Sequence, residues 1–325
     1  MDMSKGATPR SLVRQLSDGS WLESSRGERT FGYLLLAPAV IVLLVVVLYP
    51  VVLTFWYSLH KIDLRFPALG TPFVGLRNYQ LLLTDPFYKD QFGQAVLFTV
   101  GFALVSVTLE MSFGLLAALL MHKPPFASGL VRAVVLIPWA VPGVVAATMW
   151  RFMLDVQAGV FNAALIALGL HPVDFLGSNW PAFWSLVATG VWKTVPYVGL
   201  LLLAGLQTIP DELYEAARVD GASAWERFQR ITLPLLKPAF LVALLFRFLD
   251  AIRTFDLPMA LTNGGPAGFT TSLSIIAYKT YFQSSNFGIG SALSVVNFCL
   301  ALTFAMLFIR VLGADLVGRG KEVER

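Results

Sequence analysis

Six stretches of this chain are so long and so uniformly apolar that water cannot be their solvent. They occupy residues 31–59, 92–121, 130–154, 181–206, 238–261 and 288–312. About 20 apolar residues suffice for a helix to cross a hydrocarbon core roughly 30 Å thick. Inside that core each backbone N–H and C=O must be satisfied within its own segment. The runs therefore predict an all-α polytopic membrane protein with six transmembrane helices. Several runs exceed the minimum, which predicts tilt or extension into the interface. Only 14% of the 325 residues are charged and the mean hydropathy is +0.69, too few charges to solvate a water-soluble globule of this size.

Basic residues predict the orientation. With the N-terminus inside, the cytoplasmic segments hold fifteen lysines and arginines, among them Lys5, Arg29, Lys123, Arg218, Arg227, Arg230, Lys237 and Arg310. The outer side holds six: Lys61, Arg65, Arg77, Lys89, Arg151 and Lys279. Both termini are expected in the cytoplasm of a cell bounded by this membrane. The organisation is then a cytoplasmic tail over residues 1–30, a transmembrane domain over 31–313 with a cytoplasmic loop at 207–237, and a second tail over 314–325. A surface helix is expected at residues 11–22, and outer loops at 61–91 and 263–287. A cleaved signal peptide is not expected, because the first apolar run starts late and is too long. The pI of 9.2 reflects topology; nothing interleaves bases with aromatics as a nucleic-acid surface would, so no nucleic-acid partner is expected. Cys299 is the sole cysteine, inside the last run, with packing as its expected role. His60, His122 and His171 stand at loop positions without metal spacing, and no metal site is expected.

Residues 207–237 carry the densest signal. Pro210, Asp211 and Glu212 suit a helix start after a Thr208 cap, with carboxylates at the positive end of the helix dipole. Gly221 suits a left-handed stop. Ser223 three residues before Glu226 forms a capping box for a second helix, which Pro234 and Pro238 are expected to end. The outcome is an elbow of two short helices, with Ala216, Ala217 and Ala222 small enough for a partner's backbone to approach.

The sequence Glu215-Ala-Ala-Arg-Val-Asp-Gly-Ala222 followed by Ile231-Thr-Leu-Pro234 resembles the coupling loop of binding-protein-dependent ABC importers. Four further segments extend the resemblance to carbohydrate importer permeases: Phe73-Val-Gly-Leu-Arg-Asn-Tyr79, Trp192-Lys-Thr-Val-Pro-Tyr197, Leu261-Thr-Asn-Gly-Gly-Pro266 and Phe287-Gly-Ile-Gly-Ser-Ala-Leu-Ser294. The Leu-Thr-x-Gly-Gly-Pro loop points to the MalF-like subunit, within the trehalose and maltose group. The enteric maltose subunit has extra N-terminal helices and a large periplasmic insert, and this chain has neither. The resemblance implies a type I importer permease fold and no enzymatic activity in the chain itself. It implies a MalG-like second permease, an ATPase homodimer that binds ATP and Mg, and an extracytoplasmic sugar-binding protein. Residues 215–217, 220–222, Ile231, Leu233 and Pro234 would form the ATPase contact, with Glu215 and Asp220 as its polar groups. Asn263, Gly264, Gly265 and Pro266 would face the binding protein. Consistent with an external energy source, no Gly-x-x-x-x-Gly-Lys-Ser/Thr phosphate loop occurs.

Charges inside apolar runs are costly and mark pathways or internal ties. Arg247, Asp250, Arg253 and Asp256 recur every third residue of the fifth run, and Lys193 lies deep in the fourth beside Trp192 and before Tyr197. Counted from Pro238 at ~1.5 Å per residue, Asp250 falls about 18 Å into the run, near mid-membrane. Either these groups border a sugar path, with acids accepting from hydroxyls and aromatic rings covering C–H faces, or they form an ion-pair ladder, with Lys193 tied to Asp250 or Asp256. Pro138, Pro142 and Pro196 would kink their helices and shape a cavity. Glu110 is read as an interface residue outside the pathway. Each of Arg247 and Arg253 is flanked by an acid, which favours a neutral sugar over glycerol-3-phosphate or another polar solute. An ion-coupled secondary transporter usually shows two similar halves, and no repeat is present.

Overall fold

A computed structural model describes residues 33–122 and 128–323; the N-terminal tail and its expected surface helix lie outside them. Of the described residues, those from Tyr33 to Trp56 form one compact unit and those from Tyr57 onward a second. The first unit holds most of α1 (Tyr33–Ser58), a helix with mean hydropathy 2.9 that widens into a π-turn at Leu43–Leu48. The second unit contains α2 (Arg77–Thr84), α3 (Pro86–His122), α4 (Ser128–Ala140), α5 (Gly143–Met153), α6 (Val160–Ala167) and α7 (Asn179–Leu206). It continues with α8 (Asp211–Val219), α9 (Ala224–Arg227), α10 (Leu233–Ile252), α11 (Asp256–Leu261), α12 (Leu273–Tyr278) and α13 (Phe287–Val323). Among the described residues there is no β-strand, only isolated bridges from His60 to Phe73 and from Asp63 to Asn286.

The second unit is organised around the crossing of α3 and α7, the most extensive helix pair in it. Lipid tails are as apolar as leucine, so helices in a bilayer associate through close packing, and small residues at the crossing permit it. Gly114 and Gly199 supply them. A Cβ on Gly114 would lie 2.4 Å from Val198 Cγ1, and one on Gly199 would lie 3.2 Å from the Ala117 methyl. Helix α10 packs beside α7 in the same way, a Cβ on Gly205 coming 2.5 Å from that of Ala239. Val107, Met111, Leu202, Leu206, Phe248 and Ile252 fill the cluster where these three helices meet.

The segment from Phe73 to Tyr79 anchors the end of α1. Gly75 has φ +56°, which turns the chain so that α2 begins. The Asn78 amide then donates to the carbonyls of Ser58 and His60 at 2.8 and 2.9 Å, and the Tyr79 hydroxyl to Ser58 Oγ at 2.7 Å. Gly288 docks the start of α13 here, donating to Ile62 O, with no room for a Cβ, which would lie 2.5 Å from His60 O.

The span pattern differs from six uniform helices. Among the described residues, four helices are long and apolar enough to cross hydrocarbon: α1, α3, α7 and the Phe287–Arg310 part of α13. The third run is a pair, α4 and α5, bent by 94° at residues 141–142, because Pro142 cannot continue the ladder of α4 and instead precedes α5. The fifth run also breaks. Helix α10 stops at Ile252, and α11 restarts at Asp256 after a non-helical Thr254 and Phe255. Lys237, Arg247 and Asp250 lower its apolarity below that of the other spans.

Pro234 and Pro238 do not end the helix that Ser223 starts. Helix α9 passes through a π-turn at Phe228–Thr232 directly into α10, so one continuous helical path runs from Ala224 to Ile252. The wider π-turn puts Pro234 at the first turn of the next α segment, where a missing N–H costs least. Cys299, expected to pack, is exposed on α13 within this chain. Helix α13 also continues to Val323, beyond the expected boundary at residue 313.

The crossing gives a direct test. Gly114→Val should force α3 and α7 apart and cost about 1–3 kcal/mol, as overpacking does. The control is Gly101→Ala on the same helix, where a Cβ meets nothing within 4 Å. Thermal unfolding of the purified protein in detergent should show a lowered midpoint for the first and no shift for the second.

Candidate functional site

Two features of the second unit have the chemistry of sites, a polar elbow and a charged cavity. At the elbow, α8 begins at Asp211 with Pro210 as its N-cap; Thr208 donates to Gly205 O and caps nothing. Its end is a Schellman stop: Gly221, at φ +79°, donates to Arg218 O at 3.1 Å, and Ala222 donates to Ala217 O at 2.9 Å. The capping box at Ser223 and Glu226 is formed in both directions. These bonds hold the Glu226 carboxyl below its ordinary pKa, the Ser223 N–H contributing most. Their contribution is complete above the ordinary glutamate range and is lost as pH falls through the lowered value, so the box is intact at neutral pH. The Tyr214 hydroxyl meets Thr232 Oγ1 at 3.0 Å and ties α8 to the π-turn.

Glu215, Ala216, Asp220 and Gly221 are exposed on this elbow, while Ala217 and Ala222 are half-buried. Leu233 and Pro234 are exposed, and Ile231 is half-buried against the α3/α7/α10 cluster. Val219 (88% exposed) and Trp225, stacked on Phe228, add an apolar tip beside Gly221 that sequence reasoning passed over. The signal was present: two large apolar residues flank a helix stop in a segment that has to be in water.

The charged cavity, ≈ 280 Å³, lies where the two broken helices converge. Its walls include Lys193 and Thr194 from α7, Arg247, Asp250 and Arg253 from the end of α10, and Asp256 from the start of α11. Gly143, at the α4–α5 bend, faces Asp256 and Lys193 so closely that an added Cβ would lie 3.7 Å from Asp256 Oδ2 and 3.8 Å from Lys193 Cε. Broken helices at membrane depth are tolerated where they border a cavity, since the freed backbone groups find partners there. Here Ser272 Oγ donates to the freed Thr254 carbonyl at 2.8 Å.

Five of the seven interior residues singled out in the sequence meet in this cavity; Trp192 and Tyr197 do not line it. Trp192 packs edge-on to Trp150, with centroids 5.8 Å apart, and Tyr197 stacks on Trp139 at 5.9 Å. Both rings brace α7 against α4 and α5. The continuous ladder of charges is also absent, because the helix breaks after Ile252. Arg247 pairs with Asp250, whereas Arg253 bonds its own helix through Leu249 O and no carboxylate lies within 4 Å of Lys193 among the described residues.

Glu110, expected at an interface, is instead part of this cavity. It is 1% exposed, accepts from Ser106 Oγ at 2.8 Å, and forms a two-pronged bond with Arg247, whose Nε and Nη2 each approach Oε2 at 2.8 Å. The missed signal was a lone acid in the second apolar run, which needs a cation, and Arg247 is the most enclosed candidate.

The loop at 261–272 is held rigidly. Asn263 and Gly264 have φ +53° and +78°, and the turn is pinned by Lys279 Nζ to Asn263 O (2.8 Å), Thr271 Oγ1 to Gly264 O (3.0 Å) and Thr270 Oγ1 to Gly265 O. Burial pushes the Lys279 ammonium below its ordinary pKa. Pro266 borders a separate cavity of ≈ 640 Å³ that also takes in Asp90, Gln94 and Lys279.

An all-α bundle with apolar spans, a polar elbow and a charged cavity between broken helices has the form of a membrane transport permease. The family model of the binding-protein-dependent transport system inner membrane component matches residues 110–316, and the chain belongs to that family. It is 47% identical to the trehalose/maltose transport system permease protein MalF of Thermococcus litoralis, covering 87% of this chain and 94% of that one. It is 40% identical to the trehalose transport system permease protein SugA of Mycobacterium tuberculosis (91% and 92% covered), and 39% identical to the sulfoquinovosyl glycerol permease SmoG of Agrobacterium fabrum (90% and 92%). The fold matches a chain of a bacterial ABC importer of alginate with a TM-score of 0.76 at 24% identity, over 91% of this chain and 99% of that one. The chain is therefore a MalF-like permease subunit of the type I importer fold, an inner-membrane transport component and not an enzyme.

The elbow depends on Gly221. A β-branched residue at φ +79° is strained by at least the ~1–2 kcal/mol of a left-handed L-residue. Gly221→Val should leave the spans folded but break the Schellman stop, seen as faster proteolysis at the elbow of the purified protein in detergent, with Gly221→Asn close to the parent.

Proposed function

We propose that this permease moves a neutral di- or oligosaccharide such as trehalose or maltose inward through the charged cavity, by alternating access driven from the elbow. The observation that carries this is the balance of the cavity: Glu110, Asp250 and Asp256 stand against Lys193, Arg247 and Arg253. Three carboxylates and three cations leave no net charge to attract an ion. They do offer many donors and acceptors, which suits a polyhydroxylated neutral ligand. The trehalose and maltose systems named for its relatives support the same class. At ≈ 280 Å³ the cavity is just below the roughly 300–1,000 Å³ of small-molecule sites, so a MalG-like second permease completes it from the other side.

In this reading an ATPase homodimer, which binds ATP and Mg, docks on Glu215, Ala216, Asp220, Gly221, Val219 and Trp225. Its closure displaces the elbow, and the helix from Ala224 to Ile252 carries the movement to the cavity. The extracytoplasmic binding protein meets the pinned loop at Asn263, Gly264, Gly265 and Pro266. Both termini and the elbow lie in the cytoplasm. An anionic solute such as glycerol-3-phosphate is the second reading. It is favoured by Arg253, whose guanidinium bonds only a backbone carbonyl among the described contacts, and by the anionic sugar named for one relative.

Uptake of labelled trehalose, maltose and glycerol-3-phosphate by the assembled importer separates the two. Saturable uptake of a disaccharide, unaffected by excess glycerol-3-phosphate, is the expected result, and uptake of the phosphate alone would replace the first reading by the second. The orientation is tested with single cysteines at Ser223 and Thr271 in a Cys299→Ser background. An impermeant maleimide added to intact cells should label the second site and spare the first.

A further inference from the structure

Arg247 stands on the helix that begins at the elbow. From Ala224 to Arg247 that helix has no interruption, about 35 Å of path at ~1.5 Å per residue. A displacement of the elbow therefore reaches Arg247 unless the helix slides past its neighbours. Most of the interface between α10 and α3 would allow sliding, because Met111, Ala243, Ala251 and Phe248 make apolar contacts with little directional preference. The Glu110–Arg247 pair does not allow it. Its two N–H···O bonds converge on a single oxygen, Glu110 Oε2, while Ser106 Oγ holds Oε1, and neither partner can leave without stranding the other as an unpaired buried charge.

The same pair also shapes the cavity. Arg247 gives Nε and Nη2 to Glu110 and only Nη1 to Asp250 Oδ2. The Asp250 side chain stays 70% exposed, so a carboxylate oxygen faces the cavity. Without Glu110, the Arg247 guanidinium would have Asp250 as its remaining acid partner and would occupy that carboxylate.

We propose that Glu110 is the positioning residue of the transport cycle, fastening the elbow helix to α3 through Arg247 and keeping Asp250 free to accept from a substrate hydroxyl. This rests on the elbow being the ATPase dock. Elbow movement then shifts α3 and the cavity wall as one body, and loss of the pair uncouples ATP hydrolysis from transport without loosening the docking surface.

The test uses the complete importer, with its second permease, ATPase and binding protein, in reconstituted membranes. E110Q should assemble with its partner subunits. It should lose at least tenfold of both sugar-loaded binding-protein stimulation and uptake. The exchange E110R/R247E should recover several-fold of the stimulation lost in either single variant. Stimulation and uptake within twofold of the parent in E110Q would overturn the proposal. If E110Q does not assemble, E110D keeps the charge on a shorter arm: a lowered stimulated-to-basal ratio supports the positioning role and an unchanged ratio overturns it. Absence of stimulation in the parent overturns the reading of elbow and cavity together with the proposal, whereas a stimulated parent with an unaffected E110Q overturns the positioning role alone.

Discussion

A guanidinium enclosed by an apolar bundle has to be compensated where it stands, and Arg247 is compensated by Glu110 from a different helix. Removing one member of such a pair costs about 3–5 kcal/mol, because the other is left charged and buried. That asymmetry makes the pair a fixed point. Helix α10 can bend, break or be pushed, but at Arg247 it stays registered to α3, and α3 in turn is registered to α7 through Gly114 and Gly199. The cavity is built outward from this point, with Asp250 one turn on from Arg247 and Lys193 on the facing side of α7.

Two devices place irregular backbone beside that fixed point. Pro142 and Gly143 bend the third run, and the stop at Ile252 divides the fifth. In hydrocarbon each freed carbonyl would be expensive, so both breaks are turned towards one another and lined with polar groups. Backbone that cannot be helical and side chains that cannot be in lipid thus share one solution, a small cavity whose charges cancel.

The continuity from the capping box at Ser223 to Ile252 changes what the elbow can do. An elbow ended by Pro234 would have been a hinged appendage. The π-turn at Phe228–Thr232 accommodates Pro234 at the start of α10 and Pro238 lies inside α10 without ending it, so the elbow's second arm and the span are one continuous helix. The Schellman stop and the Tyr214–Thr232 bond fix the first arm against the second.

Much of this was legible in the residue order. The apolar runs set the class of protein, since hydrocarbon admits only helices or closed barrels. Gly221 and the Ser223–Glu226 spacing set the elbow, since φ and capping are local properties. The Glu-Ala-Ala and Leu-Thr-x-Gly-Gly-Pro segments carried the family. Positions that depend on a neighbour distant in the chain were not legible. Proximity along the chain placed Trp192 and Tyr197 with Lys193, but their rings turn to Trp150 and Trp139, which no local rule could show. The spacing of Arg247, Asp250, Arg253 and Asp256 suggested a ladder on one helix, whereas the fold ends that helix at Ile252 and gathers the same charges around a cavity. Glu110 looked peripheral because its partner lies 137 residues away in the sequence. Local chemistry therefore determined the spans, the elbow and the family, while tertiary structure alone decided which charges meet, because burial couples groups by distance in space and not by position in the chain.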